Sequence, residues 1–263
     1  MDVRQKTPIT YYGGKQSMLG EILPRIPSHK VYVEPFIGGA AVFFSKEPAP
    51  LEVINDLNSH VTNFYFCMKA HFQELQELVQ STPHARQAYE DARVMYRHPH
   101  LFDRVQRAWA FWTLTNMGFA GKIGSWGYDK KEKGKVGVTL NNKRLAFSAD
   151  LARRLDTTQI ECEDAVKVLT VRDSQDTFHY CDPPYIDTNC GHYGGYTAAD
   201  FEALLAALSE VKGKFLLSSF SSELLDKYTS LCGWSRVKIT KNCSASKDKK
   251  GVKVEVLTAN YRI

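Results

Sequence analysis

At 263 residues, with 43% hydrophobic and 24% charged residues, the chain has the size and balance of one large globular domain or a domain with a sizeable insertion. No apolar run is long enough to span a membrane, and the start "MDVRQKTPITYYGG" lacks the apolar core of a signal peptide, so a membrane partner and a secreted location are not expected. The net charge of +5 is mild, but lysines crowd "KIGSWGYDKKEKGK" (122–135) and "KNCSASKDKKGVK" (241–253), and two basic loops in one chain suit a polyanion such as nucleic acid.

In chain order, "ITYYGGKQSMLGEILPRIP" predicts a glycine turn and a short amphipathic helix ended by prolines. "KVYVEPFIGGAAVFF" predicts an apolar strand, a Pro/Gly turn and a helix start. "LEVINDLNSHV" repeats that unit, with Asn58 or Asp56 near the helix N-cap. Strand–turn–helix units in series argue for a parallel sheet with helices on its faces. The rhythm then breaks. Residues 60–120 have a mostly helical period, and Gly/Lys-rich residues 121–146 read as a hairpin or long loop. Helix returns at "SADLARRL", then strands at "TQIECED" and "DTFHYCDPPY". "TAADFEALLAALSEV" is a capped amphipathic helix, and "GKFLLSSFSS" and "LTANYRI" are strands. The sheet domain is therefore split, 1–59 and 147–263, around an inserted domain at 60–146. The six cysteines show no CxxC pair and no His-rich partner spacing, so they read as reduced thiols in a cytoplasmic protein, with no metal site.

Ligands of open parallel sheets bind outside the carboxyl ends of the strands. "EPFIGGA" is a turn that lets a ligand approach backbone and helix N-terminus, although it is not a full GxGxxG fingerprint. Asp56 ends the next strand, where an acid commonly binds ribose hydroxyls. "ECED" (161–164) ends a further strand on the same rim, so the rim suits an adenosine with a cationic or polar tail. Glu161 is expected to be solvated.

"CDPPY" (181–185) ends the strand after that. Its prolines remove backbone donors and stiffen the segment. The Asp182 carboxylate and the Pro183 carbonyl are neighbouring acceptors, which fits an exocyclic amino group with two protons to donate. Pro184 holds the run extended, and Tyr185 offers a face on which a planar base can stack. A base inside a duplex reaches such a pocket only when flipped out.

With these motifs in order, the chain resembles the Dam-type (D12 class, alpha group) DNA adenine-N6 methyltransferases, which use S-adenosylmethionine. The resemblance rests on "YYGGK" (11–15), "VEPFIGGAAVF" (33–43), "INDLN" (54–58), "ECEDA" (161–165), "CDPPY", "LSSFS" (217–221) and "VEVLTANY" (254–261), and covers nearly the whole length. It implies a Rossmann-like α/β methyltransferase sheet with an inserted, mainly helical target-recognition domain carrying a hairpin. It also implies that Tyr11 and Lys15 line the cofactor pocket. Pro35, Phe36 and Gly38 would shape the wall beside the methionine moiety, with Glu34 among the cofactor-binding residues. Asp56 would hold the ribose hydroxyls and Asp164 the adenine amino group, with Asp182 between cofactor and target amine. The family has Trp or Phe where Tyr11 stands.

The insertion would read duplex DNA. In "WTLTNMGFAGKIGSWGYDKKEKGK", Asn116, Lys122 and Ser125 are candidates for base edges, Trp126 for a DNA contact or wedge, and Lys130 and Lys131 for phosphates. Lys247 in the second basic segment is a further candidate. The Asn-Gly-Leu-x-Arg run of GATC-reading relatives is not present, so GATC and another short site both stay open. The expected partners are double-stranded DNA and a cognate restriction endonuclease, and the expected state in solution is a monomer. Two other readings fit the motifs: a cytosine-N4 DNA methyltransferase, and a non-catalytic DNA-binding protein on a methyltransferase fold.

Overall fold

The computed structural model describes residues 7–185, 195–239 and 255–263. Among the described residues seven strands form one sheet: β1 Val31–Glu34, β2 Leu51–Asn55, β3 Thr158–Glu161, β4 Thr177–Cys181, β5 Lys214–Phe220, β6 Ser235–Ile239 and β7 Glu255–Ala259. Their order is β3-β2-β1-β4-β5-β7-β6. The strands β1 to β5 run parallel, and β7 lies antiparallel between β5 and β6. The apolar runs follow from burial on both faces: every residue of β4 is buried, as are all but the first of β1 and β2. This is the Rossmann-like sheet expected. Strand order reverses between β1 and β4, which opens a crevice at their carboxyl ends.

The helices are α1 Leu19–Ile22, α2 Ala41–Ser45, α3 Ser59–Ala70, α4 Phe72–Ser81, α5 Arg86–Arg97, α6 Arg104–Met117, α7 Val136–Ala146, α8 Ala149–Arg153, α9 Ala165–Val171, α10 Ala198–Glu210 and α11 Glu223–Cys232. Local chemistry starts several of them. The Asn58 side chain caps α3 by accepting from the His60 N–H, and α6 and α10 open on capping boxes built by Asp103 with Gln106 and Thr197 with Asp200. The helix α6 is the axis of the inserted region. It buries Phe111, Trp112, Leu114 and Met117, each contributing about 1.5–3 kcal/mol by removal from water. One apolar cluster runs from the sheet through α3 into α6, so sheet and insertion share a core.

Residues 121–146 differ from the expected hairpin. Among the described residues it is reduced to one antiparallel bridge, Gly118 with Trp126, and the second half is the helix α7. The β-branched run at Val136, Val138 and Thr139 favours a strand, but Asp129 overrides it. Its carboxylate oxygens accept from the Lys135 N–H at 3.0 Å and the Val136 N–H at 2.9 Å, which satisfies the first turn of a helix. Buried Leu140 then anchors that helix.

Candidate active site

Three turns at the carboxyl ends of β1, β2 and β3 are stitched by one side chain. Buried Asn55 donates to the carbonyls of Pro35 and Glu163, each at 2.9 Å, and accepts from the Glu163 N–H at 2.9 Å. An asparagine at the end of an apolar strand was the available signal for this role. The glycine turn after β1 is shaped by Gly38, at φ +44°, and by its neighbour Gly39. A Cβ on Gly39 would lie 2.8 Å from Cβ of Tyr11, and one on Gly38 would lie 3.0 Å from the Tyr11 ring. Only glycines let this aromatic lie on the turn.

Behind the turn, the Asp56 carboxylate accepts from the Gly38 N–H at 3.1 Å and the Asn58 N–H at 2.9 Å. At 1% exposure it sets the turn's shape and is not part of the cavity wall in front. Asp164 is exposed, caps α9 by accepting from the Lys167 N–H at 3.0 Å, and likewise lies outside that wall.

The crevice between β1 and β4 holds a cavity of about 220 Å³. Of the residues singled out in the sequence, Tyr11, Lys15, Glu34, Phe36, Gly38, Asp182, Pro183, Pro184 and Tyr185 line it, whereas Pro35 does not and gives its carbonyl to Asn55. Its polar centre is a cluster around Lys15. The ammonium lies 2.7 Å from Asp182 and 3.6 Å from Glu255, donates to the Gly13 carbonyl at 3.1 Å, and stands 4.9 Å from the centre of the Tyr185 ring. The Tyr185 hydroxyl donates to Glu255 at 2.7 Å, and the Ser218 hydroxyl lies 3.3 Å from the same carboxylate oxygen. The Tyr185 ring packs on Phe220 at 4.2 Å between centroids. Burial alone would lower the Lys15 ammonium, but Asp182, Tyr185 and Glu255 outweigh it and hold it above its ordinary value. Burial pushes the Asp182 carboxyl up, and the Lys15 charge opposes that.

On the other wall, Glu34 accepts from the Tyr32 hydroxyl at 2.5 Å. Burial pushes its carboxyl up to about 8, against the lowering effect of that bond, and Asp182 adds to the rise. Above it, the buried Tyr180 hydroxyl has no hydrogen-bond partner among the described residues. These features fit S-adenosylmethionine: acidic groups for a cation, aromatic rings for flat moieties, close backbone at a glycine turn, and an unsatisfied buried hydroxyl on the wall.

Glu255, Ser218 and Tyr180 escaped sequence reasoning as site residues. In the sequence Glu255 follows a lysine-rich segment and looks like a solvated acid. It reaches the rim because β7 is antiparallel, so its first residue pairs with Phe220, the last residue of β5.

The candidate DNA residues separate. Asn116 is only 9% exposed and spends its amide inside the protein. Its oxygen accepts from the Thr10 N–H at 2.9 Å and the Thr10 hydroxyl at 3.1 Å, and its nitrogen donates to the carbonyls of Trp112 and Pro8. That leaves no group for a base edge, which corrects the sequence expectation. Trp126 is not a free wedge either. It stacks on His84 and Tyr128, each at 5.3 Å, and lies under the Arg86 guanidinium at 4.2 Å. Lys122 stands 4.5 Å over the Tyr12 ring at the cavity edge. Ser125, Lys130 and Lys131 are exposed, whereas Lys247 lies outside the described residues.

A family model described as D12 class N6 adenine-specific DNA methyltransferase matches residues 11–241. The chain is similar to a type II methyltransferase of Lactococcus lactis subsp. cremoris, 26% identical over 99% of both chains. It is also similar to the DNA adenine methylase of Vibrio cholerae serotype O1, 26% identical over 80% of this chain and 78% of that one. A solved precorrin-6y C5,15-methyltransferase from Geobacter metallireducens overlays 94% of this chain and 87% of its own, at TM-score 0.40 and 9% identity.

Proposed function

The chain belongs to the D12 class of N6 adenine-specific DNA methyltransferases, and from that premise we propose that Asp182, the Pro183 carbonyl and Tyr185 hold a flipped-out adenine for methylation at N6. The observation that carries this assignment is the meeting of Asp182, Lys15, Glu255 and Tyr185 at the crevice where strand order reverses. S-adenosylmethionine, when bound, supplies an activated methyl group, and Glu34, Phe36 and the Gly38 turn hold it. The protein's task is alignment and charge. Asp182 and the Pro183 carbonyl accept the two N6 protons, which turns the nitrogen lone pair toward the donor. The Asp182 carboxylate meets the positive charge that grows on N6. With its proton affinity raised by burial, it is suited to take the proton that N6 releases. Lys15 must yield the Asp182 oxygen to the incoming amine, and Glu255, 3.6 Å away, is the carboxylate toward which it moves.

We assign catalysis to 1–59 with 147–263 and target reading to 60–146. The exposed loop lysines contact phosphates and the side chains around Ser125 face the bases. Asp56 and Asp164 contribute to the cofactor's nucleoside end through the turn and the helix they organise. The type II name of a relative supports a cognate restriction endonuclease as partner, and a DNA substrate supports work in the cytoplasm. No described helix is long and apolar enough to cross a membrane.

Methylation-sensitive long-read sequencing of DNA from a methylation-free host expressing the chain tests this reading. N6-methyladenine at one short sequence is expected. Asp182→Ala is expected to lower transfer by about 10²–10³-fold or more with DNA binding kept. Methylcytosine in place of methyladenine, or near-normal transfer by the Asp182→Ala variant, would overturn it.

A further inference from the structure

Residues 7–15 form a strap that connects the inserted helices to the catalytic cluster. One end is tied down from outside the sheet. Asn116 in α6 binds Thr10 and Pro8 through both ends of its amide, and the neighbouring Trp112 indole N–H donates to the Pro8 carbonyl at 3.1 Å. From α7, the Lys143 ammonium donates to the carbonyls of Thr7 at 2.7 Å and Ile9 at 3.3 Å. The other end lies in the cavity, where Tyr11 rests on the glycine turn and Lys15 on Asp182.

The basic loop is rooted at the same place. Gly127 N–H donates to the Met117 carbonyl and Phe119 N–H to the Ser125 carbonyl, both at 2.7 Å, while Gly118 bridges to Trp126. Asn116 therefore sits one residue from the loop's anchor. Gly121 leaves little play between loop and strap, because a Cβ there would stand 3.1 Å from the Thr10 carbonyl oxygen.

We propose that Asn116 and Lys143 are positioning residues that couple DNA engagement to the catalytic pocket through the strap. DNA seated on the 118–135 loop tightens the hold of the last turn of α6 and of α7 on residues 7–10. That fixes Tyr11 against the glycine turn and Lys15 within the carboxylate cluster. The proposal rests on the reading that this loop meets DNA. Three of the four hydrogen bonds of this buried amide go to the strap and the fourth to the Trp112 carbonyl in its own helix, which is what coupling requires, whereas a base reader would keep that amide free. Coupling of this kind is reciprocal, so DNA tightens cofactor binding by the same factor that cofactor tightens DNA binding.

The test is equilibrium dialysis of labelled S-adenosylhomocysteine, a non-reacting probe, with and without saturating unmethylated plasmid DNA. Wild type is expected to bind the probe about 5–150-fold more tightly with DNA. Asn116→Ala and Lys143→Met are expected to cut that ratio to about threefold or less. Lys143 is half-buried, so Lys143→Met decides the matter if Asn116→Ala fails to fold. A merely structural role would weaken probe binding equally with and without DNA and leave the ratio intact. An unchanged ratio in Lys143→Met, or no ratio in wild type, overturns the proposal. The underlying placement of DNA has its own arm. Lys130→Ala combined with Lys131→Ala should weaken plasmid binding, and unchanged binding there would sink the loop assignment instead.

Discussion

Glu255→Gln isolates the carboxylate that motif reading missed. The substitution keeps the side chain's shape and removes one negative charge. In the native site that oxygen accepts from the Tyr185 hydroxyl at 2.7 Å and stands 3.6 Å from the Lys15 ammonium. Hydrogen bonds to charged groups contribute about 1.5–3 kcal/mol and neutral ones about 0.5–1.5, so the Tyr185 bond weakens by roughly 1 kcal/mol. The second effect falls on Lys15. Having lost one of its two carboxylates, it presses on Asp182 alone, 2.7 Å away, and competes with N6 for that oxygen. A barrier raised by about 1–2 kcal/mol slows transfer about 5–30-fold. Single-turnover transfer of tritiated methyl groups to unmethylated plasmid DNA, at saturating enzyme and cofactor, measures it. The rate constant should fall by that factor while both binding constants stay within about twofold. An unchanged rate constant refutes the role given to Glu255. So does a loss that disappears when cofactor is raised, because that is a binding defect.

Tyr185→Ala removes the ring packed on Phe220 and with it a stacking face worth about 1–3 kcal/mol to a flipped base. With 2-aminopurine at the methylated position found by sequencing, the fluorescence rise on binding should shrink, and a full rise counts against Tyr185 as the stacking residue. Gly39→Ala places a methyl 2.8 Å from Cβ of Tyr11. Overpacking of about 1–3 kcal/mol at this turn should weaken cofactor binding about 5–150-fold, and native affinity in dialysis would show that the turn is not the cofactor's support. Glu34 gives a pH signature, since its carboxyl rises from 4.5 to about 8 on burial in the folded chain. Between those values the folded protein holds a proton that the unfolded chain has released, so this group's contribution to stability declines as pH rises across that window. A cation beside Glu34 favours its ionised form, so cofactor affinity should strengthen with pH up to about 8 and then level off. Glu34→Gln should flatten both slopes, and an unaltered slope in dialysis would remove Glu34 from the cofactor's surroundings.

What the sequence makes legible is the part of the fold with the simplest environment. The strands β1, β2 and β4 are buried on both faces, so they appear as short apolar runs, and each is followed by polar or turn-forming residues at the rim. Glu34 and Asp182 are readable as members of one rim because parallel strands put their carboxyl ends on one side, and the strand order β2-β1-β4 makes them neighbours. The strand β6 was not anticipated. "SRVKI" is a half-buried edge strand, and its charges hide the pattern. The helix α7 was misread because Asp129, six and seven residues upstream of its partners, decides the local structure against β-branched propensity. Asp56 and Asp164 were placed on the correct rim. Their carboxylates, however, serve backbone N–H groups of the turn and of α9, which periodicity does not reveal.

The distribution of charge explains why one chain needs two sites of opposite character. The described site sets Lys15 against Asp182 and Glu255, and Glu34, protonated below about 8, adds its charge once a cation lies beside it. That acidic excess attracts a sulfonium and stabilises an amine that is gaining positive charge, but it repels a phosphate backbone. The DNA surface proposed above is accordingly a separate basic one: Lys122, Lys130 and Lys131 stand outside the carboxylate cluster on the loop rooted at α6. The flipped adenine is neutral, so it is the part of the substrate able to cross from the basic surface into the acidic one without a Coulombic penalty.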